Sequence, residues 1–275
     1  VWQYVYAQIK KVLSCANITY VKWDMNRSLT DVLSAALPAE RQGEVYHRFV
    51  LGVYAMLEQF RKDFPHILLE GCCGGGGRFD CGMLYYTPQI WASDNTDAMD
   101  RLLIQYGTSF CYPVSVVGSH VSAVPNEQTG RVTGLDTRAA VAMAGTFGYE
   151  LDPRSLSVAE RQQMRLEIDR FRHLYDLIQY GDYDRLTDPF APGPFTAWQQ
   201  TAPDGSAALV TVVTGMARSN DAFATVYPRN LLPDALYSVN GADAVRGDVL
   251  MYGGIPLPHV GGDCRAMQFE LTRQG

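Results

Sequence analysis

Between residues 18 and 180 the chain switches repeatedly between short runs of β-forming residues and longer segments with helical hydrophobic spacing. That alternation is the strongest constraint on its fold. Strands separated by helices cannot be joined as hairpins; each helix carries the chain back across the sheet, so the strands run parallel with helices outside them. Strand-type runs are predicted at 18–23, 67–69, 89–93, 114–117 and 146–149. The run 67–69 is continuously apolar, as expected of a strand buried on both faces. Helices are predicted at 40–62, with Val45, Phe49, Val53, Met56, Leu57 and Phe60 on one face, at 97–110 and at 136–144, with a shorter turn at 83–86. Ser157 and Glu160 form a capping box that opens a long helix, in which Met164, Ile168, Phe171, Tyr175 and Ile178 recur at helical spacing until Gly181. A further amphipathic pattern, Trp2, Val5, Ile9, Val12 and Leu13, opens the chain.

Five strand and helix units in this order predict an α/β fold, a partial (β/α)8 TIM barrel, with an open doubly wound sheet as the alternative. A closed barrel needs eight units, so the expectation is a piece whose upstream strands lie in a longer polypeptide. The first residue, Val1, agrees with that expectation. From about residue 185 the texture changes. Pro189, Pro192, Gly193 and Pro194 break the chain, and short runs follow at 195–199, 207–214, 223–227, 236–239, 249–252 and 267–271, several separated by turn pairs such as Asp204-Gly205 and Asn240-Gly241. They predict a small antiparallel all-β C-terminal domain. The expected division is therefore 1–184, partial catalytic barrel, and 185–275, C-terminal β-sandwich.

With 275 residues, 47% of them hydrophobic and 19% charged, the chain can bury a sizeable core. A net charge of -6 without any cluster of Lys and Arg argues against nucleic acid as a partner and for a small neutral one. No apolar run approaches the roughly 18 residues of a membrane span. The six cysteines, Cys15, Cys72, Cys73, Cys81, Cys111 and Cys264, are scattered, which fits reduced thiols and a cytoplasmic location better than a disulfide framework. Cys72, Cys73, Cys81 and His66 match no common zinc spacing, and neither a metal nor another cofactor is expected.

Two of the strand runs stop at an aromatic-flanked aspartate, Asp24 in Tyr-Val-Lys-Trp-Asp and Asp94 in Ile-Trp-Ala-Ser-Asp. In a parallel barrel these would stand at the same end of two strands separated by one more, where barrel enzymes hold paired carboxylates. The plainer readings are a turn residue for Asp24 and a helix N-cap for Asp94-Asn-Thr-Asp97. The four glycines at 74–77 read either as a tight turn or as a loop whose bare backbone lets a ligand ring approach closely. No phosphate-loop Lys-Ser/Thr follows them.

The segments Lys22-Trp-Asp-Met-Asn-Arg27, Cys72-Cys-Gly-Gly-Gly-Gly-Arg-Phe-Asp80, Trp91-Ala-Ser-Asp-Asn-Thr-Asp-Ala98, Ile104-Gln-Tyr-Gly-Thr-Ser109 and Val117-Gly-Ser-His-Val-Ser-Ala-Val-Pro-Asn126 resemble, in order, the α-galactosidases of glycoside hydrolase family 36. The resemblance covers residues 1–180 by motif and the β-domain by position and texture. It implies a chain running from just before the fourth barrel strand through the eighth to the C-terminal domain. It implies a retaining exo-α-galactosidase acting on melibiose and raffinose, with Asp24 as nucleophile and Asp94 as acid/base. Lys22 and Asn26 are implied as donors to sugar hydroxyls, Cys72 as a lining residue of the galactose subsite, and Trp91 as a ring against the substrate. The family often has Ser or Ala where this chain has Cys73. Trp23 is the other ring able to stack on a sugar, one of the two tryptophans being a core residue. His120 is either part of the same rim or structural, and Arg78 and Asp80 are expected to pair.

The implied partner is a small oligosaccharide, with a homotetramer as the full-length assembly. The alternatives are a related galactosyl transferase, an α-N-acetylgalactosaminidase, and a non-catalytic remnant when the chain is alone, because half a barrel exposes sheet edges and an apolar interior.

Overall fold

The computed structural model of the chain describes residues 2–26, 29–30, 32–220 and 223–275. It comprises two compact units, one ending at Asp94 and the other Asn95–Gly275.

The first unit runs α1 (Trp2–Leu13), β1 (Tyr20–Asp24), α2 (Val45–Asp63), β2 (Leu68–Cys72), α3 (Cys81–Tyr86) and β3 (Gln89–Trp91). The strands pair in parallel in the order β1-β2-β3. Val53, Met56, Leu57 and Phe60 form the buried stripe of α2, and they share one core with Leu69, Ile90 and Met83. Residues 39–44, expected as the first turns of this helix, form a separate 3-10 turn. Asp63 ties α1 to α2 by accepting hydrogen bonds from the Tyr6 hydroxyl at 2.9 Å and the Lys10 ammonium at 2.8 Å. Strand β2 is buried on both faces from Leu69 to Cys72, as its apolar run implied, and only its first residue departs from this. Leu68 is exposed and aligns with the exposed Tyr20, whereas Leu69 faces the helices.

The second unit continues with α4 (Ala98–Thr108), β4 (Val117–Ser122), α5 (Leu135–Ala142), β5 (Thr146–Glu150) and α6 (Val158–Tyr180), and β4 and β5 are parallel. Both hydrogen bonds of the capping box form, Ser157 N to Glu160 Oε2 at 2.8 Å and Glu160 N to Ser157 Oγ at 3.2 Å. The run predicted as a strand at 114–117 is displaced: Val114–Val116 is a 3-10 turn after Pro113, and the strand begins at Val117. Its polar residues disguised it. Ser119 is fully buried and donates to Gln105 Oε1 at 3.1 Å, a partner on another element.

There follow β6 (Asp182–Arg185), β7 (Phe195–Thr201), β8 (Ala207–Thr214), β9 (Thr225–Val226), β10 (Leu236–Val239), β11 (Val245–Arg246), α7 (Gly247–Gly253), β12 (Ile255–Pro256) and β13 (Ala266–Arg273). Six of these strands form an antiparallel sheet in the order β11-β10-β13-β8-β7-β6, and β12 pairs with β9. One face of the sheet, with Ala197, Val210, Val212 and Leu271, builds its own core around Tyr237. On the opposite face Leu209 packs with Leu174 and Ile178 of α6, and Trp198 with Ala98 and Leu102 of α4. The run 249–252, expected as a strand, lies within helix α7, where Leu250 is buried and Val249 and Tyr252 are exposed. The charged edge strand β6 has no apolar run to announce it, as suits a strand at a sheet edge.

Phe60 has no exposed surface and anchors the helix side of the first unit. Phe60→Ala is expected to cost about 3–5 kcal/mol of stability, measured by urea unfolding, because the cavity adds to the lost transfer free energy. A loss below about 1 kcal/mol would contradict the placement of this core.

Candidate active site

The site begins with the alternation of β1. Tyr20, Lys22 and Asp24 project from one face, and Val21 and Trp23 from the other. Parallel register sets Lys22 beside Glu70 and Asp24 beside Cys72, and on the next strand Glu70 beside Gln89. Aligned residues of a parallel ladder share a face, so Lys22, Asp24, Glu70, Cys72, Gln89 and Trp91 line one wall. Trp23 is not among them. Its ring meets Phe60 edge-on at 6.3 Å between centroids, within the core under α2. The expectation that Trp23 takes part in substrate binding is corrected by its place on the helix side of the strand. Trp91 lies on the open-face wall, and the Lys22 ammonium sits 4.8 Å from the centre of its ring.

The glycine loop connects the two strand ends. Asn26 Nδ2 donates to Asp24 Oδ2 at 2.9 Å, and Asn26 Oδ1 accepts from the Gly74 amide at 2.6 Å. The next residue, Gly75, has φ +77°, and a Cβ there would fall 2.6 Å from Ser93 Cα and 2.8 Å from Asp94 N. A Cβ on Gly76 would lie 2.6 Å from the Ala92 carbonyl oxygen. The bare loop thus lies directly on the segment that carries Asp94. Asp24, Asn26, Gly74, Gly75 and Asp94 form a continuous chain of contacts.

Arg78 braces the loop from below, donating to the Met25 carbonyl at 2.6 Å and to Cys73 Sγ at 3.0 Å. Asp80 instead caps α3 by accepting from Met83 N at 2.9 Å, so the expected pairing of Arg78 with Asp80 gives way to two separate tasks. The capping of α4 falls to Asp97, whose Oδ1 accepts from Met99 N at 2.8 Å and Asp100 N at 3.2 Å. Asp94 is therefore not the N-cap that its neighbourhood in sequence allowed. His120 pairs with Glu150 on the adjacent strand at 2.8 Å. Arg27 lies outside the described residues.

Cys72 is buried, and burial pushes its thiol up to about 11. The Asp24 carboxylate, which accepts from that thiol, pushes the same way, while a backbone hydrogen bond at Gly75 and the Lys22 ammonium oppose it. At neutral pH the wall between the aspartates is thus an uncharged thiol.

Glu70 and Gln89 were missed in the sequence. The Glu70 side chain is 1% exposed; its Oε2 accepts from the Tyr20 hydroxyl and from Gln89 Nε2 at 2.9 Å, and its Oε1 stands 4.0 Å from Lys22 Nζ. The signal available was a lone acid ending an apolar run. Among the described residues no group of three or more His, Cys, Asp or Glu side chains could hold a metal ion, and no helix is long and apolar enough to cross a membrane.

The Melibiase family pattern matches residues 1–181, and that of the glycosyl hydrolase family 36 C-terminal domain matches residues 195–271. The chain belongs to the Melibiase family of glycoside hydrolases. Among curated relatives it is 48% identical over 271 residues to the α-galactosidase AgaA of Geobacillus stearothermophilus, covering 98% of this chain and 37% of that one. It is 51% identical over 269 residues to the bifunctional α-galactosidase/sucrose kinase AgaSK of Mediterraneibacter gnavus, covering 98% of this chain and 28% of that one. The crystal structure of AgaA superposes with a TM-score of 0.96 at 47% identity, over 99% of this chain and 38% of the other. Variants of AgaA have been solved with raffinose and with stachyose.

The chain spans between 28% and 38% of the length of these relatives. With this match, the strand and helix units of the melibiase chain are a partial (β/α)8 barrel, followed by an antiparallel β-domain.

The buried thiol gives a test. Cys72 is expected to be the last cysteine alkylated at pH 8, after the exposed Cys15, Cys81 and Cys111. Because its folded value lies above the ordinary one, the unfolded chain loses this proton first. The contribution of Cys72 to stability is therefore full at neutral pH and declines as pH rises from about 9 towards 11, which a Cys72→Ala comparison across that range would detect.

Proposed function

We propose that the protein carrying this chain is a retaining exo-α-galactosidase that releases terminal galactose from raffinose-type and melibiose-type α-galactosides. The observation that carries the reading is the contact chain joining Asp24 to Asp94 through Asn26 and the glycine loop. Support comes from the relatives. The AgaA variant solved with stachyose has an aspartate replaced by alanine and the variant solved with raffinose has one replaced by asparagine, at positions seventy apart, the same separation as Asp24 and Asp94.

In this reading the Asp24 carboxylate attacks the anomeric carbon while Asp94 gives its proton to the departing glycosidic oxygen. A galactosyl ester forms on Asp24. Asp94, now ionised, takes a proton from water, whose oxygen displaces Asp24 and leaves galactose in its original anomeric configuration. Asn26, bonded to the nucleophile, and Lys22 present donors to the sugar hydroxyls. Trp91 and the neutral Cys72 thiol form the wall against which the ring settles. The barrel piece, 1–184, then supplies the chemistry, and 185–275 forms the C-terminal domain, a division supported by the two family patterns.

Hydrolysis of an aryl α-galactoside by the protein as its gene encodes it tests the roles. Asp24→Ala is expected to abolish turnover. Asp94→Ala is expected to slow raffinose hydrolysis by about 10²–10⁴-fold, and a nitrophenyl galactoside less, because nitrophenolate departs without protonation. Proton NMR of the first product should show the α-anomer. A β-anomer, or near-normal rates in both variants, would sink the reading. Gly75→Ala, which drives a methyl group into Ser93 and Asp94, should lower kcat by at least tenfold although it removes no functional group.

A further inference from the structure

Glu70 is a buried carboxylate to which the proposed mechanism gives no work. A carboxylate this deep persists only where it is hydrogen-bonded and paired. Its Oε2 is well served by Tyr20 and Gln89, but its Oε1 has no hydrogen-bond partner among the described residues. That oxygen lies instead 4.0 Å from the Lys22 ammonium.

We propose that Glu70 is the positioning residue for Lys22: a buried counter-charge that holds the ammonium over Trp91, at the level where it meets a sugar hydroxyl. This rests on the α-galactosidase reading of the same site. Lysine is a point charge on a flexible four-carbon stem, and the Lys22 side chain is 31% exposed, so the backbone alone does not fix where its charge sits. Two groups do. Trp91 approaches the ammonium with its ring at 4.8 Å and Glu70 with an oxygen at 4.0 Å.

The second distance matters. It exceeds the roughly 2.7–2.9 Å of a charge-assisted hydrogen bond, so Glu70 acts on the ammonium as a counter-charge and not as a hydrogen-bond acceptor. Glu70 is itself too buried to reach a ligand. It acts through Lys22, and Tyr20 and Gln89, by holding its other oxygen, aim it. The ligand class that suits an ammonium held in place beside an aromatic ring is a neutral polyol whose hydroxyl oxygens accept.

The test is a double-mutant cycle of Glu70→Gln and Lys22→Met in the protein as its gene encodes it. KM and kcat are read on an aryl α-galactoside, and galactose binding by calorimetry. Glu70→Gln is expected to raise KM and weaken galactose binding about tenfold with a much smaller change in kcat, and to add little once Lys22 is Met, since residues that act as one unit are non-additive. Penalties that multiply in the double variant, or wild-type KM in Glu70→Gln, would overturn the proposal while leaving the α-galactosidase reading intact. Should Glu70→Gln fail to fold, Tyr20→Phe, which removes one hydrogen bond and keeps the charge, enters the same cycle with the same criterion. A wild-type protein that neither binds galactose nor hydrolyses the galactoside would overturn the parent reading, and this one with it.

Discussion

The parallel register of β1 against β2 is the constraint on which the rest of the site depends. It places Lys22 beside Glu70 and Asp24 beside Cys72. A slip of one residue would turn every side chain of β1 to the other face, sending Asp24 towards Phe60 and Trp23 into the open wall. What prevents the slip is apolar. Val21 and Trp23 on β1, Leu69 on β2 and Ile90 on β3 all belong to the core beneath α2. The packing that stabilises the first unit and the geometry that would act on a sugar are therefore one ladder seen from its two faces.

The glycine loop is the second dependency, and it works by omission. Side chains at Gly75 and Gly76 would collide with backbone at 92–94, so the loop can bring the two strand ends together only with bare backbone. Asn26 uses both ends of its amide to finish the connection, one to Asp24 and one to Gly74. Backbone contacts cannot swing as side chains do, so the spacing of the loop and the segment carrying Asp94 is set by the fold, and Asn26 ties the Asp24 carboxylate to that frame.

What the sequence made legible was local. The capping box at Ser157 and Glu160 formed as predicted because its two partners are three residues apart, and the strand runs that end at Asp24 and just before Asp94 were legible from their β-type residues. What it hid was decided between elements. Trp23 and Trp91 look alike in sequence, and only the pairing of their strands tells which ring faces helices. Glu70 reads as the end of an apolar run until register sets it opposite Lys22. The strand at Val117–Ser122 is displaced from its predicted run because its polar residues are buried against partners elsewhere, as Ser119 is against Gln105 of α4. Residues 249–252 have strand-forming composition, but one buried leucine between exposed neighbours suits a short helix.

Charge explains why such a wall contains a lysine at all. With the Cys72 thiol neutral, the aligned residues Lys22, Asp24, Glu70, Cys72, Gln89 and Trp91 carry one formal cation, Lys22, against two formal anions, Asp24 and Glu70. In the proposed reaction an oxocarbenium-like transition state develops positive charge at the anomeric carbon, and a wall with a net negative formal charge favours it. A lysine without its buried counter-charge would cancel that excess, matching Asp24 alone and leaving the wall neutral. On the proposed reading, Glu70 lets the site present an ammonium to sugar hydroxyls and still keep the field that the reaction needs. Its depth is part of that function, because a carboxylate placed at the surface would be screened by water and would compete for the ligand's hydroxyls.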